Sequence, residues 1–334
     1  MSTIHFLNVG NGDCSIIQHN SGRVSMIDTC GGNQTDQEMK IFSVMKSIQE
    51  NATPGNFGMA DYPTRPQDHL RRLGITDIWR FILTHPDMDH LDGFSNIVRG
   101  FTVHNFWHAG AMKEKPEFGG WRFNEDDWDE YQHIRDGKSS TKLVFAQEMR
   151  SFQFANEGED GKAGGDGLQI LAPTQALVDQ ANKSGDFNDC SYVIRYRSGG
   201  FTTIFAGDSH DRTWEHILKH RRSWVENCDL LIAPHHGRHS GRSWEFLDVL
   251  KPRVTLFGYA RSEHLAYDAW NNRGLYKITN NQAGNIIAEI EDGRMSFWVE
   301  NDRFVQAART GLIDVRNALG YASLGQITEV KVAA

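Results

Sequence analysis

Residues 85–90 read His85-Pro86-Asp87-Met88-Asp89-His90, four metal-binding side chains within six positions. The apolar run Ile78 to Leu83 feeds straight into them. A buried strand cannot carry such groups inside it, because each unpaired charge is too costly to desolvate, but just past its end they can converge on a cation. Pro86 disfavours helix at Thr84–His85 and keeps that stretch extended. In extended chain His85 and Asp87 project to the same side. Asp89 and His90 are adjacent, splay apart and suit a second centre, so the spacing predicts two metals, one served by each end of the loop.

More polar clusters follow apolar runs elsewhere. Val24 to Ile27 ends in Asp28, Phe201 to Phe205 ends in Ala206-Gly207-Asp208, and Leu230 to Ala233 ends in Pro234-His235-His236-Gly237-Arg238-His239. The elements that must position these groups are therefore strands, also expected at 3–9, 14–18, 101–107, 168–171, 191–196 and 253–257. A closing hairpin at 285–290 and 294–299 turns over Asp292-Gly293. Helical spacing covers 35–50, with Met39, Phe42, Met45 and Ile48 on one face. Helices are also expected at 67–73, 91–99, 140–154, 211–221 and 243–250, and a loop at 51–66. Two batches of strands, each followed by helices, suit a layered α/β architecture with the site along one sheet edge. Residues 109–167, with the run Asn124-Glu125-Asp126-Asp127-Trp128-Asp129-Glu130-Tyr131, read as an insertion, either a partly ordered rim or a solvated linker with one docked helix. The expected layout is one domain over 1–302 and a helical tail over 303–334.

Hydrophobic content of 39% and charged content of 23% are those of a soluble globular protein. No apolar run approaches the roughly 20 residues that span a bilayer, and the first ten residues lack the pattern of a signal peptide. Cys14, Cys30, Cys190 and Cys228 are widely spaced, which fits reduced thiols in the cytoplasm. A formal net charge of −8 argues against broad affinity for nucleic acid but leaves room for a local basic patch. Arg238, His239 and Arg242 beside the last cluster form such a patch, placed to touch a phosphate. His216, Lys219, His220, Arg221 and Arg222 read as an exposed helix face. Trp107, Trp121 and Trp128 could stack bases, but packing is the favoured role. Gly10-x-Gly12 is not a dinucleotide fingerprint, since strand follows it, and no Walker loop, nucleophile elbow or H-E-x-x-H helix is present.

Taken together, Asp28, His85-Pro86-Asp87-Met88-Asp89-His90, Gly207-Asp208 and Pro234-His235-His236-Gly237 resemble the metallo-β-lactamase superfamily. More narrowly the chain is similar to the hydrolase domain of ComEC-type competence proteins, in which an Asp replaces the second His, as Asp87 does here. Asn8-Val9-Gly10-Asn11-Gly12-Asp13-Cys14 and Asn188-Asp189-Cys190-Ser191 extend the likeness. The resemblance implies an αββα sandwich with two divalent ions, Zn2+ or Mn2+, at one edge. Carried over, His85 and Asp87 bind one ion, Asp89, His90 and His235 bind the other, and Asp208 bridges them. Asp28 would hold the loop from behind, Asp189 or Asn188 could add a ligand, and His236 is either a ligand or a supporting donor. Asp87 in place of His makes the site harder, which favours manganese, with zinc still open. The implied activity is hydrolysis of phosphodiesters by a metal-activated hydroxide, with Asp89 in the catalytic centre. His264 is a candidate leaving-group acid or a structural loop histidine. Arg238 and Arg242 would contact substrate. The expected substrate is single-stranded nucleic acid, the alternative a small ester of phosphorylcholine type.

Overall fold

Apolar residues along the strands alternate between two destinations, and that alternation builds two stacked sheets. The computed structural model describes residues 1–49, 57–120, 122–146, 148, 165–291, 293–308 and 311–329. The first sheet takes β1 (Ser2–Phe6), β2 (Ser15–Gln18), β3 (Val24–Ile27), β4 (Asp77–Ile82), β5 (Thr102–His108) and β6 (Lys142–Phe145). The second takes β7 (Leu168–Ala172), β8 (Val193–Ser198), β9 (Phe201–Phe205), β10 (Leu230–Ile232), β11 (Val254–Phe257) and β12 (Lys277–Thr279). The chain then returns to the first sheet with β13 (Ile286–Glu291), β14 (Arg294–Val299), β15 (Leu312–Arg316) and β16 (Ala322–Thr328). The orders are β15-β16-β14-β13-β1-β2-β3-β4-β5-β6 and β12-β11-β10-β9-β8-β7.

Between the sheets lie Ile4, Ile17, Ile27 and Ile82 from one side and Ile194, Phe205, Leu230 and Ile232 from the other. Their strand neighbours Ile16, Met26 and Phe81 face outward, where Leu70, Phe94, Ile97, Trp128 and Tyr131 of outer helices cover them. On the far side Val193, Ile204 and Leu231 meet Trp214, Ile217, Leu250 and Trp270. This period-two sorting of side chains, with helices sealing both outer faces, makes the αββα sandwich the sequence led us to expect.

Three local expectations need correction. Lys142–Phe145, expected in a helix, forms β6, paired in parallel with β5, and the rest of that expected helix falls largely outside the described residues. The helix of the insertion lies instead at Glu125–Arg135, where Asn124 caps it and Trp128, Tyr131 and Ile134 are buried. Among the described residues of the tail only Asp302–Ala307 is helical; β16 pairs with β14, because that side of the first sheet still offered an open edge. At 243–250 only Leu247–Leu250 is helical. The insertion rejoins the fold at Asp166, whose carboxylate pairs with the buried Arg80 guanidinium at 2.7 Å.

Candidate metal centre

β3 and β4 run parallel, so Asp28 and the segment from Thr84 emerge at the same sheet end. Asp28 sits at φ 57, a left-handed conformation that aspartate tolerates better than most residues. Its carboxylate accepts from the Thr84 N–H at 2.8 Å and the Thr84 hydroxyl at 2.6 Å. It also accepts from His90 Nδ1 at 2.8 Å. With its hydroxyl proton so committed, Thr84 Oγ1 is an acceptor for His85 Nδ1 at 3.1 Å. In their neutral forms both imidazoles therefore carry the proton on Nδ1 and turn a free Nε2 inward. Gly12 lets the β1–β2 turn press on this loop, since a Cβ there would meet Asp89 O at 2.2 Å.

The second sheet supplies the opposite wall. β9 and β10 are parallel and release Asp208 and the Pro234–Gly237 turn at neighbouring positions. Asp208 N–H donates to Ser191 Oγ at 3.1 Å, and His235 N–H donates to Gly207 O at 2.9 Å. His235 (φ 51, ψ 48) and His236 (φ 58, ψ 9) are both left-handed. Such strain, on the order of 1–3 kcal/mol per residue, persists where surrounding structure enforces it. Gly237 follows against the Phe257 ring, which a Cβ would approach to 2.5 Å.

The two walls meet at Asp208. His90 Nε2 is 3.4 Å from its Oδ1, and Oδ2 lies 3.9 Å from His85 Nε2, 3.6 Å from His235 Nε2 and 4.0 Å from His236 Nε2. His236 Nε2 is also 3.5 Å from Asp89 Oδ2, while its Nδ1 faces Asp13 Oδ1 at 3.0 Å. Among the described residues three overlapping sets have ligand atoms within 4.8 Å of one another: His85, His90 and Asp208; Asp89, His90 and His236; and Asp13, Asp208 and His236. Nε2 of His85, His90 and His236 and Oδ1 of Asp208 are buried without a hydrogen-bond partner. Imidazole nitrogens and carboxylate oxygens aimed at one another are a donor set that suits a divalent cation.

The electrostatics agree. Burial opposes charge on His90, but Asp208 and Asp28 outweigh it and raise its pKa well above the ordinary value. His236 is likewise raised to about 10 against burial, by Asp13 and Asp208. Asp208 and Asp89 are lowered despite their burial, by the histidines around them. The carboxylates draw positive charge into the cluster, a demand a divalent ion also answers.

Not every expected residue joins. His235 was the favoured ligand of its pair, but its Nδ1 accepts from the Arg242 guanidinium at 2.8 Å. Arginine has no acceptor to offer, so His235 Nε2 must carry the proton and cannot ligate in that state. The better-placed donor is His236, whose Nδ1 faces Asp13 of the β1–β2 turn. Asp87 lies 3.8 Å from His85 Nε2, but its other oxygen pairs with Lys113 at 2.5 Å. Asp189 turns toward Arg212, 4.0 Å away. Arg242 is 6% exposed and donates to Ser209 O at 2.7 Å, so it ties loops together and is not open to substrate. The His264 ring is more than half exposed, 3.9 Å from Glu263. His239 is exposed and Arg238 half-buried. On the helix Asp211–His220, His216 and the following Arg221 share the sequence-distant Glu148 at 3.2 and 3.3 Å. Trp107 and Trp128 are core residues, and Trp121 lies outside the described residues.

Residues 7–172 match the profile of the metallo-beta-lactamase superfamily. Comparison with curated proteins gives no match. Among solved structures, the diiron beta-hydroxylase CmlA from Streptomyces venezuelae shares 12% identity over 83% of this chain, TM-score 0.44. This chain covers only 52% of that protein, about half its length. A diphosphatase of the PhnP family shares 15% identity at TM-score 0.40, covering 87% of this chain and 98% of that one. A metal-dependent hydrolase of the beta-lactamase superfamily shares 14% identity at TM-score 0.47, covering 84% and 96%. The chain thus has the metallo-β-lactamase fold, with the superfamily match running from the end of β1 through β2–β7 and the metal-type cluster at the edge where both sheets end.

Proposed function

We propose that the chain is a metal-dependent phosphodiesterase, a ComEC-like nuclease acting on single-stranded nucleic acid. The observation that carries this reading is the convergence of His85, Asp89, His90, Asp208 and His236, with unpartnered nitrogens and oxygens turned inward. Asp89, His90, Asp208 and His236 would hold one divalent ion, His85 and Asp87 a second beside the shared Asp208. When bound, such ions bring the pKa of water to near 7 and neutralise charge developing on the attacked ester.

The protein's own part is orientation. Asp28 accepts from the outer nitrogen of His90, and Asp13 Oδ1 stands 3.0 Å from that of His236, so in the neutral rings the inner nitrogens are the ones left to a metal. Arg242 holds His235 as a neutral ring with its proton on Nε2, a hydrogen-bond donor at the same mouth. Its pKa is lowered to about 4, mainly by burial, with His236 and the two arginines adding to the effect. Arg238, half-buried beside this turn, supports contact with an anionic ester. The carboxylate-rich donor set favours manganese or zinc.

Metal analysis of the purified protein should find divalent ions, and Asp208→Ala should remove both the ions and hydrolysis of bis-nitrophenyl phosphate. Full activity in that variant would sink the mechanism. Labelled single-stranded oligonucleotides compared with a nitrophenyl phosphorylcholine ester separate the substrates; cleavage of the ester alone would refute the nuclease reading.

A further inference from the structure

The cluster is lopsided, and a lysine from the insertion sits on its sparser side. On one side Asp89, His90, His236 and Asp208 interlock at 3.4–4.0 Å. On the other, His85 has Asp208 at 3.9 Å and Asp87 at 3.8 Å. Asp87 Oδ1 is already paired with the Lys113 ammonium at 2.5 Å, and Asp189 contributes to none of the metal-type sets among the described residues.

Lys113 is held there by several contacts. The preceding Met112 N–H donates to Asn182 Oδ1 at 2.7 Å, and Asn182 Nδ2 donates to Gly110 O at 3.2 Å. Arg135 donates to the Lys113 carbonyl at 3.4 Å, and the ammonium lies 5.6 Å from the centre of the Phe187 ring. Its side chain is only about a quarter exposed. A compact, strongly hydrated charge seldom sits in such a place without a partner, and here the partner is Asp87.

Granting that this cluster is a metal centre, we propose that Lys113 serves as a built-in monovalent cation at the Asp87 position. The chain then binds one divalent ion tightly, on the Asp89–His90–His236–Asp208 side. A second ion at His85–Asp87 meets a like charge beside its carboxylate and binds more weakly, by about tenfold or more at the effective dielectric of a half-buried site.

The test is calorimetric titration of metal-stripped full-length chain with Mn2+, for the native protein, Lys113→Met and Lys113→Arg, with thermal melts to verify folding. The native chain should show one tight equivalent and a second about tenfold or more weaker. Lys113→Met, which keeps the apolar stem, should tighten the second equivalent by a similar factor and leave the first unchanged. Lys113→Arg, which keeps the charge, should bind as the native protein does. Two equal equivalents in the native chain, or no effect of Lys113→Met, would overturn the proposal and leave the metal centre standing. Absence of Mn2+ binding in all three proteins would bring down the metal centre itself.

Discussion

His235 and His236 are neighbours in one strained turn, yet their rings stand at 74° to each other and meet different partners. His236→Ala should strip the tightly held ion, whereas His235→Ala should leave metal content nearly intact while lowering turnover; elemental analysis beside ester hydrolysis separates the two. Asp13→Asn should weaken metal binding by roughly 10–100-fold, the usual effect of removing a carboxylate behind a ligating imidazole, read by competition with a metallochromic chelator. The HPDMDH loop was legible in the sequence because its residues lie within one turn of chain and follow a visible strand. The choice between adjacent histidines was not, because it is made by two left-handed backbones and by Arg242, which no local pattern records. Asp13 and Lys113 were missed as participants for a related reason. Each reaches its partner only through folding, and an aspartate in a glycine turn or a lysine in an irregular loop carries no periodic signal.

Among the elements, the insertion contributes more than a rim. Asp127, fully buried on the helix Glu125–Arg135, accepts from Gly93 N–H at 2.9 Å, Ser95 N–H at 2.8 Å and Asn33 Nδ2 at 2.7 Å. It therefore caps the helix Phe94–Gly100 from outside, directly after the metal loop. Asp127→Ala would leave these donors unsatisfied at roughly 1–3 kcal/mol each. The expected loss is about 3 kcal/mol of unfolding free energy, seen as a lower urea midpoint at unchanged slope. Strands were the most legible elements, since each buried strand shows as a short apolar run. The acidic stretch 124–131 was harder, because Trp128, Tyr131 and the charge of Asp127 all go inside while its other acids stay out. The tail was misread because scattered apolar residues at helical spacing give no hint of an open sheet edge waiting for β16.

For the molecule as a whole, acid is the expected weak point. His5 Nε2 meets Gln18 at 2.9 Å, and His69 Nε2 meets His5 Nδ1 at 3.1 Å, both rings buried. Burial lowers their pKa values to about 4 and about 3. In the unfolded chain both titrate near 6.5, so between these limits the unfolded state binds more protons. Their contribution is complete above about pH 6.5 and falls away as the pH drops toward the folded values, on the order of 1–2 kcal/mol per ring by about pH 5. Urea midpoints at about pH 7.5 and about pH 5 should differ more in the native protein than in a His5→Gln, His69→Leu double variant. A second consequence concerns the seam between the two slabs. His85, Asp89 and His90 hang from one sheet and Asp208 and His236 from the other, so an ion shared among them rivets the halves at the rim. Chelation should then lower the melting temperature, by an amount that scales with how far free metal exceeds its dissociation constant. Amide exchange should quicken first at the tips of β4, β9 and β10, with the outer helices still protected: the catalytic ion would double as the fastener of the sandwich.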